Sequence, residues 1–279
     1  MIKLIIAILM AGILYAQPAS SPTVDRARSI LLAGLGDKDP LVRVQALQAL
    51  GMVGNNEEMI KGLVDHLDDK DVKVRIAAIS SLVDLKENSA IAALQNRLNN
   101  DDVPEVAFAA AKALFILKDP QGKIALEAMF AKERKTGSNI IRGKVRDFMR
   151  TMKTPRSAML FALRSGVGYF PVPGLGTGVG AAIDLLTDGD LSARANVLLL
   201  MATDKSEESK GMVTAALTDN DWSVRAVGIQ TIAMLNWVDF QPQVESLLDD
   251  KKEKVRFRAA AACLRLTTLA NSIPSRARQ

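Results

Sequence analysis

Along most of the chain, apolar residues return every three and four positions and not every second one, which is the spacing of one face of an α-helix. Val42 is followed at four, seven and eight places by Ala46, Ala49 and Leu50. Val74 is followed in the same way by Ala78, Ser81 and Leu82, and Ala193 by Val197, Leu200 and Met201. Each of these stretches is preceded by a polar turn. Before the turn comes a second apolar-periodic run, such as "MIKGLVDHL" from Met59, "AIAALQNRL" from Ala90 or "FQPQVESLL" from Phe240. The pattern predicts helical hairpins joined end to end.

The turns are copies of one another. "LTDNDWSVRA" from Leu217 is matched by "LTDGDLSARA" from Leu186 and more loosely by "LDDKKEKVRF" from Leu248. "GDKDPLVRVQALQAL" from Gly36, "DDKDVKVRIAAISSL" from Asp68 and "NDDVPEVAFAAAKAL" from Asn100 share the frame. Their anchors are Val42, Val74, Val106, Ala193, Val224 and Val255, spaced by 32, 32, 87, 31 and 31 residues. Inside the long step, "NIIRGKVRDFMRTMK" supplies Val145, Met149 and Met152 at the right spacing for a degenerate seventh unit. One hairpin cannot bury its own apolar stripe, so the units must stack and share a continuous core.

The spacing of an Asp five positions before the valine of "VR" resembles the signature of the HEAT repeat family, including its PBS-lyase-like members. It is met by Asp37 with Arg43, Asp69 with Arg75, Asp219 with Arg225 and Asp250 with Arg256. Two units depart from it: Asp188 precedes Ala193 and Arg194, and Asp101 precedes Val106 and Ala107, so the third unit lacks its arginine. The resemblance implies an all-α fold, an α-solenoid or armadillo-like superhelix of about seven hairpins over residues 23–269. It also implies that the aspartates and arginines form a ladder between successive units. Physics agrees: an Asp at a helix N-terminus accepts from unpaired backbone N–H groups, and an Arg reaches a neighbouring carboxylate.

With 48% hydrophobic and 24% charged residues, the chain carries enough apolar surface for such a core. Its start, "MIKLIIAILMAGILYAQPAS", has one lysine, an uncharged run from Leu4 to Leu14 and small residues at Ala16 and Ala19. Residues 1–19 are therefore expected to be a secretory signal peptide, cleaved near Ala16 or Ala19, which would place the mature chain in the periplasm or outside the cell. Cys263 is the single cysteine and falls at the core position equivalent to Leu50, so no internal disulfide is expected and the thiol should be inert. Residues 270–279 are expected to be a flexible tail.

Catalytic chemistry finds little to work with. Repeat proteins of this kind include di-iron hydroxylases that use paired His-Glu motifs, but this chain has one histidine, His66 in "LVDHLDD", expected at a helix C-terminus. A lone His gives no nucleophile triad either. "GTGVGA" from Gly176 matches a dinucleotide fingerprint, but no strand precedes it. The acidic turns lack the alternating ligands of a calcium loop. The expectation is a non-enzyme with no cofactor, no metal and no small-molecule substrate.

The middle of the chain differs from the rest. From Lys123 to Arg164 eleven Lys and Arg face Glu127, Glu133 and Asp147, a net of +8 where the whole chain has +5. Next comes a Gly/Pro-rich insert over residues 165–186, "SGVGYFPVPGLGTGVGAAIDLL", uncharged from Val167 to Ile183 and placed between the two helices of the fifth unit. Pro171 and Pro173 forbid a continuous helix, and so apolar a loop needs cover, from the solenoid itself or from a partner. Arg142, Lys144, Arg146, Tyr169, Phe170 and Leu175 are the candidate contacts. The leading expectation is a secreted or envelope scaffold or adaptor that binds a protein partner. A peripheral protein on an anionic membrane surface is the alternative. A third class resembles HEAT-like alkylpurine DNA glycosylases, but the export signal and the 4% aromatic content speak against it and nucleic acid is not expected.

Overall fold

The computed structural model describes residues 21–130, 192–201 and 204–272. The expected Val145 unit, the insert and the tail beyond Ser272 lie outside the described residues. The described part is an all-α solenoid. Its helices, numbered in chain order, are α1 (Pro22–Leu35), α2 (Pro40–Leu50), α3 (Glu57–Asp65), α4 (Val72–Asp84), α5 (Ile91–Asn100), α6 (Pro104–Ile116), α7 (Pro120–Phe130), α8 (Ala193–Leu200), α9 (Glu207–Ala216), α10 (Trp222–Leu235), α11 (Gln241–Ser246) and α12 (Glu253–Ser272). Odd-numbered helices from α1 to α7, with α9 and α11, open a unit; even-numbered helices close one. Short 3₁₀ turns extend several first helices, at His66–Asp68 after α3 and Leu247–Asp249 after α11.

Helix boundaries follow local chemistry. Pro40 and Pro104 stand at the first position of α2 and α6, where a missing N–H costs nothing. α10 ends at Asn236, whose φ of 56° is the left-handed conformation that closes a helix. α12 runs through Ser272, so the helix takes in the first three residues of the expected tail.

The second helices α2, α4, α6, α10 and α12 are buried over most of their surface. From Phe257 to Leu264 every residue of α12 is buried, including Ala259, Ala260, Ala261 and Ala262. Alanine leaves the backbones of adjacent rows close together, so the side chains of the opening helices (Leu31, Leu63, Leu94) can fill the layer between. Gly122 shows how close this approach is: a Cβ there would lie 2.6 Å from the Leu114 carbonyl carbon and 2.8 Å from the Ala111 oxygen, so α7 lies directly on the backbone of α6.

The order of units in space differs from their order in sequence. The second helices touch in the row α8, α10, α12, α2, α4, α6, so the last unit stacks on the first. α1 lies on α12 as α7 lies on α6. At this junction the Phe257 ring occupies the space where a Gly34 side chain would be, and a Cβ at Gly34 would also stand 2.8 Å from Ala46 Cβ. Arg265 of α12 donates to the Met52 carbonyl (3.3 Å) just beyond α2, and Arg26 of α1 pairs with Asp249. The first and last described helices are therefore interior neighbours, and the row of closing helices ends in α8 on one side and α6 on the other.

Candidate functional site: the charged ladder and the surface it leaves

Four arginines of the repeated turn, Arg43, Arg75, Arg194 and Arg225, each link two units. Arg43 grips Asp69 with Nε and Nη2, both at 2.9 Å, and its Nη1 donates to the Asp37 carbonyl at 2.8 Å. Arg225 grips Asp250 at 2.6 and 2.8 Å while Nη1 donates to the Asp219 carbonyl at 2.7 Å. Arg75 reaches Asp101 at 3.1 Å and the Asp69 carbonyl at 2.8 Å, and Arg194 reaches Asp219 at 2.6 and 2.9 Å. Two parallel N–H···O bonds between planar groups fix the angle between neighbouring units as well as their distance. Asp101 also meets Arg97, so the acid next to the arginine-less Ala107 is held from its own helix.

The aspartates of the ladder are not themselves the helix caps. Asp37, Asp69, Asp101, Asp219 and Asp250 accept from the N–H two residues on, at 2.8 to 3.0 Å, which shapes the turn. The caps are the second acids, Asp39, Asp71 and Asp221, which receive the N–H groups of Leu41, Lys73 and Ser223. Ser192 does this for α8. The Asp-x-Asp spacing in "DKD" and "DND" carried that signal: the two acids of one turn have different jobs, one facing the next unit and one its own helix.

Asp69 and Asp250 are held ionised. Burial pushes Asp69 and Asp250 up, but hydrogen bonds from Arg43 and Arg225, and from the N–H groups of Asp71 and Lys252, outweigh it and leave both below the ordinary carboxylate value. The ladder does not cross the junction of last and first units. There Arg256 donates to the Asp250 carbonyl at 2.9 Å and pairs with Glu253.

The other sequence-derived candidates fall as follows. His66, half-buried at the end of α3, has one ring nitrogen 2.7 Å from the Gly62 carbonyl and the other 3.0 Å from the Leu35 carbonyl, so it ties the second unit to the first. Cys263 is fully buried in α12; burial, and then the charge of Glu245, push its thiol up to about 12. Among the described residues no cluster of three His, Cys, Asp or Glu is placed to hold a metal ion, and no helix is long and apolar enough to cross a membrane. Asp188, Arg142, Lys144, Arg146, Tyr169, Phe170 and Leu175 lie outside the described residues.

Comparison with known families adds to this geometry. Residues 28–56 match the HEAT repeat and residues 60–137 match HEAT repeats. The chain is a HEAT-repeat protein. No curated protein matches it. HEAT repeats commonly act as protein-interaction scaffolds and are typically non-catalytic.

With the ladder spent on stacking, the surface left to this HEAT-repeat protein has apolar spots. Leu41 on α2, Phe115 on α6 and Val197 on α8 are each more than half exposed, at 55%, 52% and 51%. Near the start of α12, Lys254 lies 5.0 Å from the ring centroid of Trp222, and a cavity of about 240 Å³ opens between that pair and Gln45 of α2.

Proposed function

We propose that this protein is a non-catalytic protein-binding scaffold or adaptor of the cell envelope or secreted space. The observation that carries this reading is the division of labour on the closing helices: the charges of the repeat are consumed between units, while Leu41, Phe115 and Val197 stand in solvent on the same row. Large apolar side chains exposed on a rigid scaffold lower the free energy when a partner covers them. The export signal read in residues 1–19 supports an envelope or secreted setting.

The test is affinity capture of the exported chain from separated membrane and soluble fractions, with cross-linking. A variant carrying Leu41→Ser, Phe115→Ser and Val197→Ser serves as the comparison. The reading expects a defined partner with the native chain that is lost with the variant, at unchanged helical circular dichroism. The same proteins recovered from both would overturn it. N-terminal sequencing of the exported chain should begin just after Ala16 or Ala19.

A second reading, peripheral association with an anionic membrane, is favoured by the net +8 between Lys123 and Arg164. It predicts co-flotation with anionic vesicles that weakens as salt is raised and is lost on charge reversal at Arg142, Lys144 and Arg146. Failure to float at low salt would leave the protein-partner reading alone.

A further inference from the structure

The cavity of about 240 Å³ lies between the first turns of α10 and α12 and the second turn of α2, lined by Trp222, Lys252, Glu253, Lys254 and Gln45. Gln45 sets it apart. It stands eight residues after its ladder acid, a place that belongs to Ala77 in α4, Ala109 in α6 and Val227 in α10. It is 8% exposed, and among the described residues its carboxamide has no hydrogen-bond partner. Burying an amide in that state lowers stability, and neighbouring units fill the same place with alanine. A carboxamide that is buried in the protein and faces a cavity is completed by a group from outside the chain.

The lining is also electropositive. Lys252 precedes α12 at the place where Asp39, Asp71 and Asp221 cap α2, α4 and α10, so this 20-residue helix is led by a cation and not an acid. The partial charge of the helix N-terminus has the same sign as the lysine. Glu253 is the acid among the lining residues, and Arg256 holds its carboxylate at 3.3 Å. The acids just before it, Asp249 and Asp250, are paired with Arg26 and Arg225. Lys254 lies 5.0 Å from the Trp222 ring centroid and steadies that ring as the apolar wall.

We infer that this cavity takes an acidic side chain, with its adjoining peptide group, from an extended segment of a partner protein. The carboxylate meets Lys252 and the start of α12. The N–H and C=O of the peptide group meet Gln45, whose amide offers both an acceptor and donors, and Trp222 covers the aliphatic stem. At about 240 Å³ the space falls below the roughly 300 to 1,000 Å³ of small-ligand sites, so it fits one or two side chains of a peptide and not a free metabolite. The inference rests on the scaffold reading above and adds the chemistry of the partner.

The test is calorimetric titration of the exported chain with short peptides, blocked at both ends, that carry Glu or Asp at the centre among Ala, Leu and Phe. Matched peptides carry Gln or Asn there, and N-acetylglutamate and inorganic phosphate are titrated alongside. At least one acidic peptide should bind with a Kd below about 1 mM, and its amide twin at least about tenfold more weakly. Lys252→Glu should remove binding at unchanged helical circular dichroism. Gln45→Ala should weaken binding about tenfold while the melting temperature holds or rises, because alanine already serves at this place in α4 and α6. A lowered melting temperature with unchanged affinity would make Gln45 a structural residue and overturn the inference. It would also be overturned by no saturable binding of any acidic peptide at about 5 mM, or by amide twins, N-acetylglutamate or phosphate binding equally well. If the native chain captures a partner and no acidic peptide binds, this inference falls and the scaffold reading stands. If an acidic peptide binds and the variant with Leu41→Ser, Phe115→Ser and Val197→Ser loses no partner, the reverse holds.

Discussion

Replacing Arg225 with Met tests the ladder where it is most demanding. The side chain is 13% exposed and its partner Asp250 6%, and four hydrogen bonds from the guanidinium are lost: two to Asp250, one to the Asp219 carbonyl and one, at 3.1 Å, to that of Asn220. Met keeps the apolar stem, so packing is nearly preserved. What remains is a buried carboxylate supported mainly by the Lys252 N–H at 2.8 Å. Breaking a fully buried ion pair costs about 3 to 5 kcal/mol, and the residual exposure and the remaining N–H bond reduce this to about 2 to 3 kcal/mol. In urea unfolding followed by circular dichroism, that loss moves the midpoint down by about 1 M. Arg194→Met is the control: the pair with Asp219 is also bidentate, but Arg194 is 66% exposed, so water and salt replace it and the midpoint should stay within error. Removing both charges, with Arg225→Met and Asp250→Leu, should recover most of the loss because no carboxylate is stranded. Equal shifts for Arg225→Met and Arg194→Met, or a double variant worse than the single one, would refute burial as the source of the ladder's strength.

Phe257→Ala should destabilise the protein by about 3 to 4 kcal/mol, since the ring is 4% exposed, and hydrogen exchange should rise in α1 although the two sites are more than 220 residues apart; unchanged protection of α1 would contradict the stacking of last unit on first. Asp69 and Asp250 have folded pKa values below their unfolded ones, so their contribution is fully present above the ordinary value of about 4 and is lost as pH falls through the lower folded value. Urea midpoints should therefore be flat near neutrality and fall below about pH 4, with a shallower fall in Asp250→Asn. Cys263, its thiol pushed up to about 12, should ignore Ellman's reagent at pH 8 in native protein and react fully in urea; rapid native labelling would show that α12 opens.

Much of the ladder was legible because a repeat of 31 or 32 residues puts equivalent positions of successive units side by side, so Arg43 and Asp69, or Arg225 and Asp250, had to be near one another. The caps at Asp39, Asp71 and Asp221 were less so, because both acids of each turn are chemically equal in the sequence and only the path of the backbone assigns one to the helix and the other to the neighbour. Arg265 was missed altogether: it lies outside the repeated turn, and its importance comes from a neighbour, Met52, far away along the chain.

Local pattern alone determined the helical hairpins, their period, the shared core and the burial of Cys263, since each depends on which side chains one short segment can hide. Tertiary structure decided that α12 would meet α1 and α2, and that Gln230 of α10 and Asp84 of α4 would line one cavity. Those contacts follow from the sum of small rotations between successive units, and no single unit encodes that sum. The curvature of the whole stack brings the last unit to the first, where Phe257 finds the space beside Gly34 that no spacing in the sequence foretold.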